Sequence, residues 1–195
     1  MINIRPHTGP LDDTTLQALA GLRLTVFRDF PYLYEGTMED EMAYLQPYMA
    51  SPDSLVVLAL DGEKVIGAST GIPMEHETDN IKAPWAAKGY DVNRIFYFGE
   101  SVLLKEYRGR GIGVEFFRHR EAWAKQLGRF DWMTFCGVVR PASHPLKPQD
   151  YVPLDSFWEK RGFTKTADLV CYIKWKDLND SVETEKPLHF WYKQC

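Results

Sequence analysis

A glycine- and arginine-rich hexapeptide, Arg108–Gly113, joins two segments of different periodicity. The apolar run before it, Ile95–Leu104, predicts a buried strand, and the apolar spacing after it predicts a helix. No Ser, Thr, Asp or Asn begins that helix, so its first N–H groups have no side-chain partner in the sequence. Free amides at the positive end of a helix dipole bind anions, and glycines let an anion approach the backbone. The hexapeptide, with the charges of Arg108 and Arg110, therefore predicts a pyrophosphate site.

Two widespread nucleotide motifs do not fit this hexapeptide. It lacks the Gly-x-x-x-x-Gly-Lys-Ser/Thr pattern of a P-loop, which disfavours nucleotide hydrolysis. Its Gly-x-Gly-x-Gly spacing also differs from Gly-x-Gly-x-x-Gly, which disfavours a dinucleotide-binding fold. An ordinary Gly-Arg turn between a strand and a helix is the alternative without a ligand.

The spacing Arg108-x-x-Gly111-x-Gly113, after a strand that ends in Val102-Leu103-Leu104, resembles motif A of the GNAT (GCN5-related) N-acetyltransferase superfamily. The resemblance implies that the loop holds the pyrophosphate of acetyl-CoA, the acyl donor. It also implies that a backbone N–H near Val102 or Leu103 polarises the thioester carbonyl. The coenzyme-binding residues implied by this motif are Val102, Leu103, Leu104, Arg108, Gly109, Arg110, Gly111, Ile112, Gly113 and Val114.

The segment Phe157–Phe163 resembles motif B of the same superfamily and adds Phe157 and Trp158 to the implied coenzyme site. The chain departs from the family pattern here, because Trp158 replaces the tyrosine that protonates the leaving thiolate in many relatives. An indole cannot supply that proton at neutral pH. Tyr151, which precedes the short helix predicted over residues 153–161, is the remaining candidate acid, and a packing role is the alternative.

Glu100 interrupts the apolar strand two residues before Val102. Acetyl transfer needs a neutral amine, and an alkylammonium with a pKa near 10.4 is almost wholly charged at pH 7. A buried carboxylate takes up a proton more readily than an exposed one. Glu100 is therefore the candidate general base, and the alternative is a partly solvated side chain that hydrogen-bonds a neighbouring strand.

The element order predicts an α+β (α/β) domain of the GNAT fold, with residues 1–195 as a single domain. We expect a mixed, mostly antiparallel central sheet of six to seven strands, flanked by about four helices. Asp61-Gly62-Glu63 predicts a hairpin turn. A second helix over residues 39–48 is expected to be stopped by Pro47 and Pro52. Residues 73–94 are expected to form a long loop, which is either a surface excursion or a wall of the substrate pocket. Asp155 is expected to cap the short helix predicted over residues 153–161.

Composition narrows the class of function. The net charge is −4 over 195 residues, which disfavours a nucleic-acid partner. The sequence has no signal-peptide core and no run of membrane-spanning length, so no membrane partner is expected. The three cysteines lack metal-ligand spacing, no metal is predicted, and the cytoplasm is the expected location.

The expected function is transfer of an acetyl group from acetyl-CoA to a primary amine of a small molecule or peptide, by direct attack in a ternary complex. The alternative is a catalytically weak acyl-CoA-binding or regulatory module. The resemblance also makes a homodimer possible.

Overall fold

The computed structural model describes residues 1–195, with seven strands in one mixed sheet and five α-helices. The strands are β1 Ile2–Thr8, β2 Leu55–Asp61, β3 Lys64–Pro73, β4 Ile95–Leu103, β5 Trp132–Val138, β6 Thr164–Trp175 and β7 Thr184–Gln194. The helices are α1 Asp13–Phe27, α2 Met38–Ala50, α3 Asp79–Ala87, α4 Ile112–Leu127 and α5 Asp155–Glu159. The sheet order β1-β2-β3-β4-β5-β7-β6 is that of the predicted α+β fold. None of the helices has the length and apolar character needed to cross a membrane.

Apolar side chains cover both faces of the sheet. On one face, Leu16 and Leu19 of α1 and Leu45 of α2 pack against alternate residues of β2, such as Val56 and Leu58. On the opposite face α4 packs through its buried stripe, formed by Ile112, Phe116, Phe117, Arg120 and Ala124. The period-2 pattern of the strands and the helical period of the stripe therefore meet in two apolar layers.

One join in the sheet is incomplete. β4 and β5 are parallel and pair over only three residues each, from Ile95 with Trp132 to Tyr97 with Thr134. β4 then continues to Leu103 and β5 to Val138 without further pairing between them. A gap therefore opens in the middle of the sheet, between the second half of β4 and the second half of β5.

A bulge in β4 lies beside this gap. Ser69 of β3 pairs with Ser101, whereas Gly71 pairs with Phe98, so one residue of β3 faces two of β4. An extra residue shifts the alternation of side chains beyond it. Glu100 therefore projects to the α1–α2 face, where Tyr97 also lies.

Three local predictions need correction. α2 is not stopped by Pro47 but continues through it to Ala50 and ends before Pro52, because the capping box at Thr37 and the burial of Leu45 and Tyr48 hold the helix on both sides of Pro47. Residues 73–94 are not a continuous loop, since α3 forms there around the buried Ile81 and Trp85. Asp155 is the first residue of α5 rather than its cap, and its carboxylate pairs with Lys165.

Candidate active site

The start of α4 presents a row of backbone donors. None of the amides from Gly109 to Gly113 donates to a backbone or side-chain acceptor within the chain, and Gly111 at the N-cap has no side chain to supply one. Gly111 adopts a left-handed conformation with a φ of 82°, which a glycine takes without strain. We call residues 109–113 the amide mouth. Its donors and the helix dipole suit a phosphate group.

The two arginines of the predicted pyrophosphate site both contact residues outside the amide mouth. The Nε of Arg108 donates to the carbonyl of Leu103 at 3.2 Å, and its Nη2 lies 3.8 Å from a carboxylate oxygen of Asp29. The Nη2 of Arg110 donates to the carbonyl of Glu106 at 3.0 Å. Both guanidinium groups are therefore held by residues that precede the amide mouth in the sequence.

The gap between β4 and β5 also has free backbone donors along its β4 edge. The amide of Leu104 donates to the carbonyl of Ile66 at 3.0 Å, on the β3 side. In an antiparallel pair alternate residues face the partner strand, so Val102 also faces β3. The N–H groups of Ser101 and Leu103 consequently face the gap. Of the two residues whose amides were predicted to lie near a thioester carbonyl, only Leu103 directs its N–H into the gap.

The short helix α5 borders the amide mouth and the β5 edge of the gap. A Cβ placed on Gly113 would lie 3.4 Å from the ring of Phe157, so this ring sits against the mouth. The indole of Trp158 packs over Gly137 of β5 and contacts the rings of Phe135 and Trp191 at centroid distances of 5.0 and 5.1 Å. Aromatic packing therefore holds the Trp158 indole in place.

Glu100 lies in a buried polar cluster on the other side of the gap. Its side chain is only 3% exposed. One carboxylate oxygen, Oε2, lies 2.9 Å from Nη1 of Arg23 and accepts a hydrogen bond from the Tyr44 hydroxyl at 3.1 Å. The other oxygen, Oε1, is buried and has no partner in the chain. Arg23 also donates to Glu41. Glu100 is thus neither solvated nor bound to a neighbouring strand, and one of its oxygens is free to accept a proton donor.

A family model described as the acetyltransferase (GNAT) family matches residues 21–146, more than half of the chain. The chain belongs to the GNAT acetyltransferase family. The match covers the amide mouth, Glu100 and the strands that flank the gap. GNAT acetyltransferases act on amine acceptors. No curated protein sequence matches this GNAT chain.

Solved structures share the fold at low sequence identity. A putative acetyltransferase from Acinetobacter baylyi superposes with a TM-score of 0.64 at 12% identity, covering 100% of this chain and 93% of the other. A ribosomal-protein-alanine N-acetyltransferase from Brucella melitensis gives 0.63 at 13% identity, with 99% of each chain covered. A putative acetyltransferase from Salmonella typhimurium, solved with acetyl-CoA, gives 0.61 at 13% identity, covering 99% of this chain and 93% of the other. These likenesses establish the GNAT fold of the chain.

Tyr151 lies outside the buried cluster. Its ring packs edge-on against Phe30 at a centroid distance of 4.7 Å. Burial, with a smaller contribution from the charge of Asp155, raises the pKa of Tyr151, so the hydroxyl keeps its proton at neutral pH. The packing role and a role as proton donor are therefore compatible in this GNAT chain.

Sequence reasoning missed the partners of Glu100 on α1 and α2, and Glu77 beyond them. The Tyr44 hydroxyl lies 3.3 Å from the Tyr48 hydroxyl, which donates to Oε1 of Glu77 at 2.6 Å. One signal was available, because Arg23 falls in the apolar stripe of α1, where a charged residue needs a buried partner. The pairing itself depends on the contact of α1 and α2 with β4, which no local pattern gives.

Proposed function

We propose that this GNAT chain is an acetyl-CoA-dependent N-acetyltransferase, with residues 1–195 acting as one domain. Its acceptor is a primary amine of a small molecule or peptide, which attacks directly in a ternary complex. The observation that carries the proposal is the row of free amides at the start of α4 beside the gap between β4 and β5. A cytoplasmic location and a homodimer stay predictions from the sequence and the family resemblance.

The residues of the amide mouth fit the diphosphate of the coenzyme, because five unpaired donors meet there at a helix N-terminus. Arg108 and Arg110 add charge, Val114 continues the helix, and Phe157 and Trp158 form the apolar wall opposite. Val102, Leu103 and Leu104 form the β4 edge along which the thioester arm is held. The coenzyme, when bound, supplies the activated acetyl group.

The chain's own residues then handle charge and protons. The N–H of Leu103 faces the gap and stabilises negative charge that develops on the carbonyl oxygen. Glu100 takes a proton from the acceptor ammonium on its free Oε1. Tyr151 is the proposed donor to the leaving thiolate; its hydroxyl is protonated at neutral pH, and burial raises its pKa, which makes it a weaker acid than an exposed tyrosine.

A catalytically weak acyl-CoA-binding module is the second candidate function. Trp158 favours it, because its indole is fixed among Phe135, Gly137 and Trp191 and cannot protonate a thiolate. The two candidates predict the same coenzyme binding and differ only in turnover.

Calorimetric titration of the chain with acetyl-CoA, followed by assays on a panel of amines, tests the proposal. Gly111→Val places a side chain where phosphate must approach the backbone. Loss of one charge-assisted hydrogen bond, about 1.5–3 kcal/mol, predicts a dissociation constant raised at least about tenfold. Gly89→Val is the matched control, since Gly89 has a φ of 81° and equally open surroundings but lies away from the mouth.

An unchanged dissociation constant for Gly111→Val would contradict the amide mouth as the coenzyme site. Binding without turnover on any amine of the panel would favour the acyl-CoA-binding module over the enzyme.

A further inference from the structure

We propose that Glu77 stores the proton that Glu100 removes from the acceptor amine, and that the hydroxyls of Tyr44 and Tyr48 carry the proton between the two carboxylates. The inference rests on the proposed acetyltransferase function and adds a destination for the proton. It follows from a continuous row of polar atoms, the tyrosine relay, which runs from β4 across α2 to the turn after β3.

The hydroxyls and carboxylates of the tyrosine relay form an unbroken row of polar contacts. The Tyr44 hydroxyl lies 3.1 Å from Oε2 of Glu100 and 3.3 Å from the Tyr48 hydroxyl, and the Tyr48 hydroxyl lies 2.6 Å from Oε1 of Glu77. Gly99 makes this approach possible, because a Cβ at that position would overlap the Tyr48 hydroxyl. The relay therefore depends on the bulge in β4 that also directs Glu100 to the same face.

The transfer balances one proton. The acceptor ammonium loses a proton from nitrogen to Oε1 of Glu100. The protonated carboxyl then turns about its Cγ–Cδ bond, so that its O–H takes the place of Oε2 and donates to the Tyr44 oxygen. Tyr44 passes its own proton to the Tyr48 oxygen, and Tyr48 passes its own to Oε1 of Glu77. Glu77 gains one proton, while Glu100 and both tyrosines return to their starting forms. Glu100 is then free for the second proton that the amine nitrogen loses when the amide forms.

The surroundings of Glu77 suit a group that holds a proton. The residue is 7% exposed, and burial raises the pKa of its carboxyl despite hydrogen bonds from Tyr48 and the backbone of Thr78. No arginine pairs with it, in contrast to Glu100. The titratable groups that face Glu77 are Tyr44 and Tyr48 of α2, Tyr97 and Glu100 of β4, Lys82 of α3 and Cys171 of β6.

Tyr44 is the most exposed residue of the relay. It is 37% exposed, whereas Tyr48, Glu77 and Glu100 are all buried. Arg23 stacks on its ring with the guanidinium carbon 3.7 Å from the ring centroid, which fixes the hydroxyl towards Glu100. Tyr44 is therefore the one partly exposed residue of an otherwise buried relay.

Kinetics of Glu77→Gln and Tyr48→Phe test the relay. We expect kcat to fall at least about tenfold in each variant, because removal of a proton-transfer group costs that much or more. KM for the amine should change less than about twofold, since neither side chain is needed to hold it. The double variant should be no slower than the slower single variant, because either substitution alone already interrupts the relay.

Glu75→Gln is the matched control. Glu75 lies two residues before Glu77 in the same turn, but its carboxylate pairs with Arg129 at 2.8 Å and does not touch the tyrosines. The kcat of Glu75→Gln should stay at the wild-type value. Wild-type kcat in both Glu77→Gln and Tyr48→Phe, or additive losses in the double variant, would overturn the relay.

Infrared spectra of the free protein test the relay separately from turnover. The carbonyl stretch of protonated Glu77 should appear during an acid titration, be absent in Glu77→Gln and shift in Glu100→Gln. The same band should not move in Glu75→Gln. If the Glu77 band stays at the same frequency in Glu100→Gln, the relay is overturned even in an active enzyme. If the band shifts in Glu100→Gln but the protein transfers no acetyl group, only the proposed function is refuted.

Discussion

Glu100 combines two features that are hard to reconcile with a purely structural role. One carboxylate oxygen is tied to Arg23 and Tyr44, and the other is buried without a partner. A buried unpartnered oxygen is costly to folding, and such costs are found where a site must meet a ligand. The pair with Arg23 holds the carboxylate in place. Burial alone would lower the pKa of Arg23, but the charges of Glu100 and Glu41 raise it, so Arg23 stays protonated.

At the residue scale, Glu100→Gln should slow acetyl transfer by about 10²–10⁴-fold at neutral pH, because the variant keeps the shape but not the base. The loss should shrink towards about pH 10, where the amine is already neutral without help. A pH–rate profile of kcat/KM measures this, with Glu63→Gln in the β2–β3 turn as the control. A pH-independent loss would remove Glu100 from the proton chemistry.

At the scale of the element, the β4 bulge decides which groups meet. It leaves the carbonyls of Thr70 and Glu100 outside the regular ladder, and Nη1 of Arg120 reaches both, at 3.4 and 3.3 Å. The guanidinium lies between the rings of Phe98 and Phe117, with its central carbon 4.3 and 4.7 Å from their centroids. α4 therefore supplies the amide mouth at its start and a support for the bulge two turns later.

Gly99→Ala tests the bulge. The new methyl group would overlap the hydroxyls of Tyr48 and Thr70, so we expect a loss of about 1–3 kcal/mol of unfolding free energy. Gly21→Ala is the control within α1, because nothing lies within 4 Å of its Cβ position and a helical alanine should stabilise by about 0.5–1 kcal/mol. Urea denaturation measures both. An unchanged free energy of unfolding in Gly99→Ala would mean that the bulge tolerates a side chain.

At the scale of the whole molecule, one ion cluster ties together segments far apart in sequence. Arg140, which follows β5, donates to the carbonyls of Pro31 and Tyr32 at 2.7 and 2.6 Å and pairs with Asp177, which follows β6. Lys186 of β7 lies 3.3 Å from the same carboxylate. The cluster fixes the α1–α2 connection over the end of the sheet that carries β6 and β7.

Asp177→Asn should destabilise the chain by about 3 kcal/mol, because it leaves two nearly buried cations without their carboxylate. Burial raises the pKa of Asp177, but Arg140 and Lys186 outweigh it and leave the pKa below its ordinary value. The stabilisation is therefore full above about pH 4 and disappears as the pH falls through the lowered pKa.

Denaturation of wild type and variant at several pH values measures this difference, which should shrink in acid. Asp131→Asn is the control, since its pair with Arg94 is about half exposed, with side-chain exposures of 47% and 52%. Exposed pairs contribute about 0–1 kcal/mol. Equal losses in the two variants would contradict the importance of the cluster.

Local patterns predicted the parts of this protein that depend on local chemistry. The glycines before α4, the hairpin at Gly62 and the stripe of α4 are readable because turn and helix preferences act over a few residues. α3 was missed because Pro84 obscured a helix held by the burial of Trp85. Tyr48 and Glu77 could not be paired from sequence, since α2 and the turn after β3 meet only through tertiary packing.

The gap between β4 and β5 has a consequence for how fast backbone hydrogens exchange with solvent. Central strands of a sheet normally protect their amides best. Ser101 and Leu103 should instead exchange their hydrogens for deuterium quickly in the free protein, although they lie in the fourth of seven strands. Addition of acetyl-CoA should slow that exchange at the same two residues, which would report occupancy of the gap without any acceptor amine.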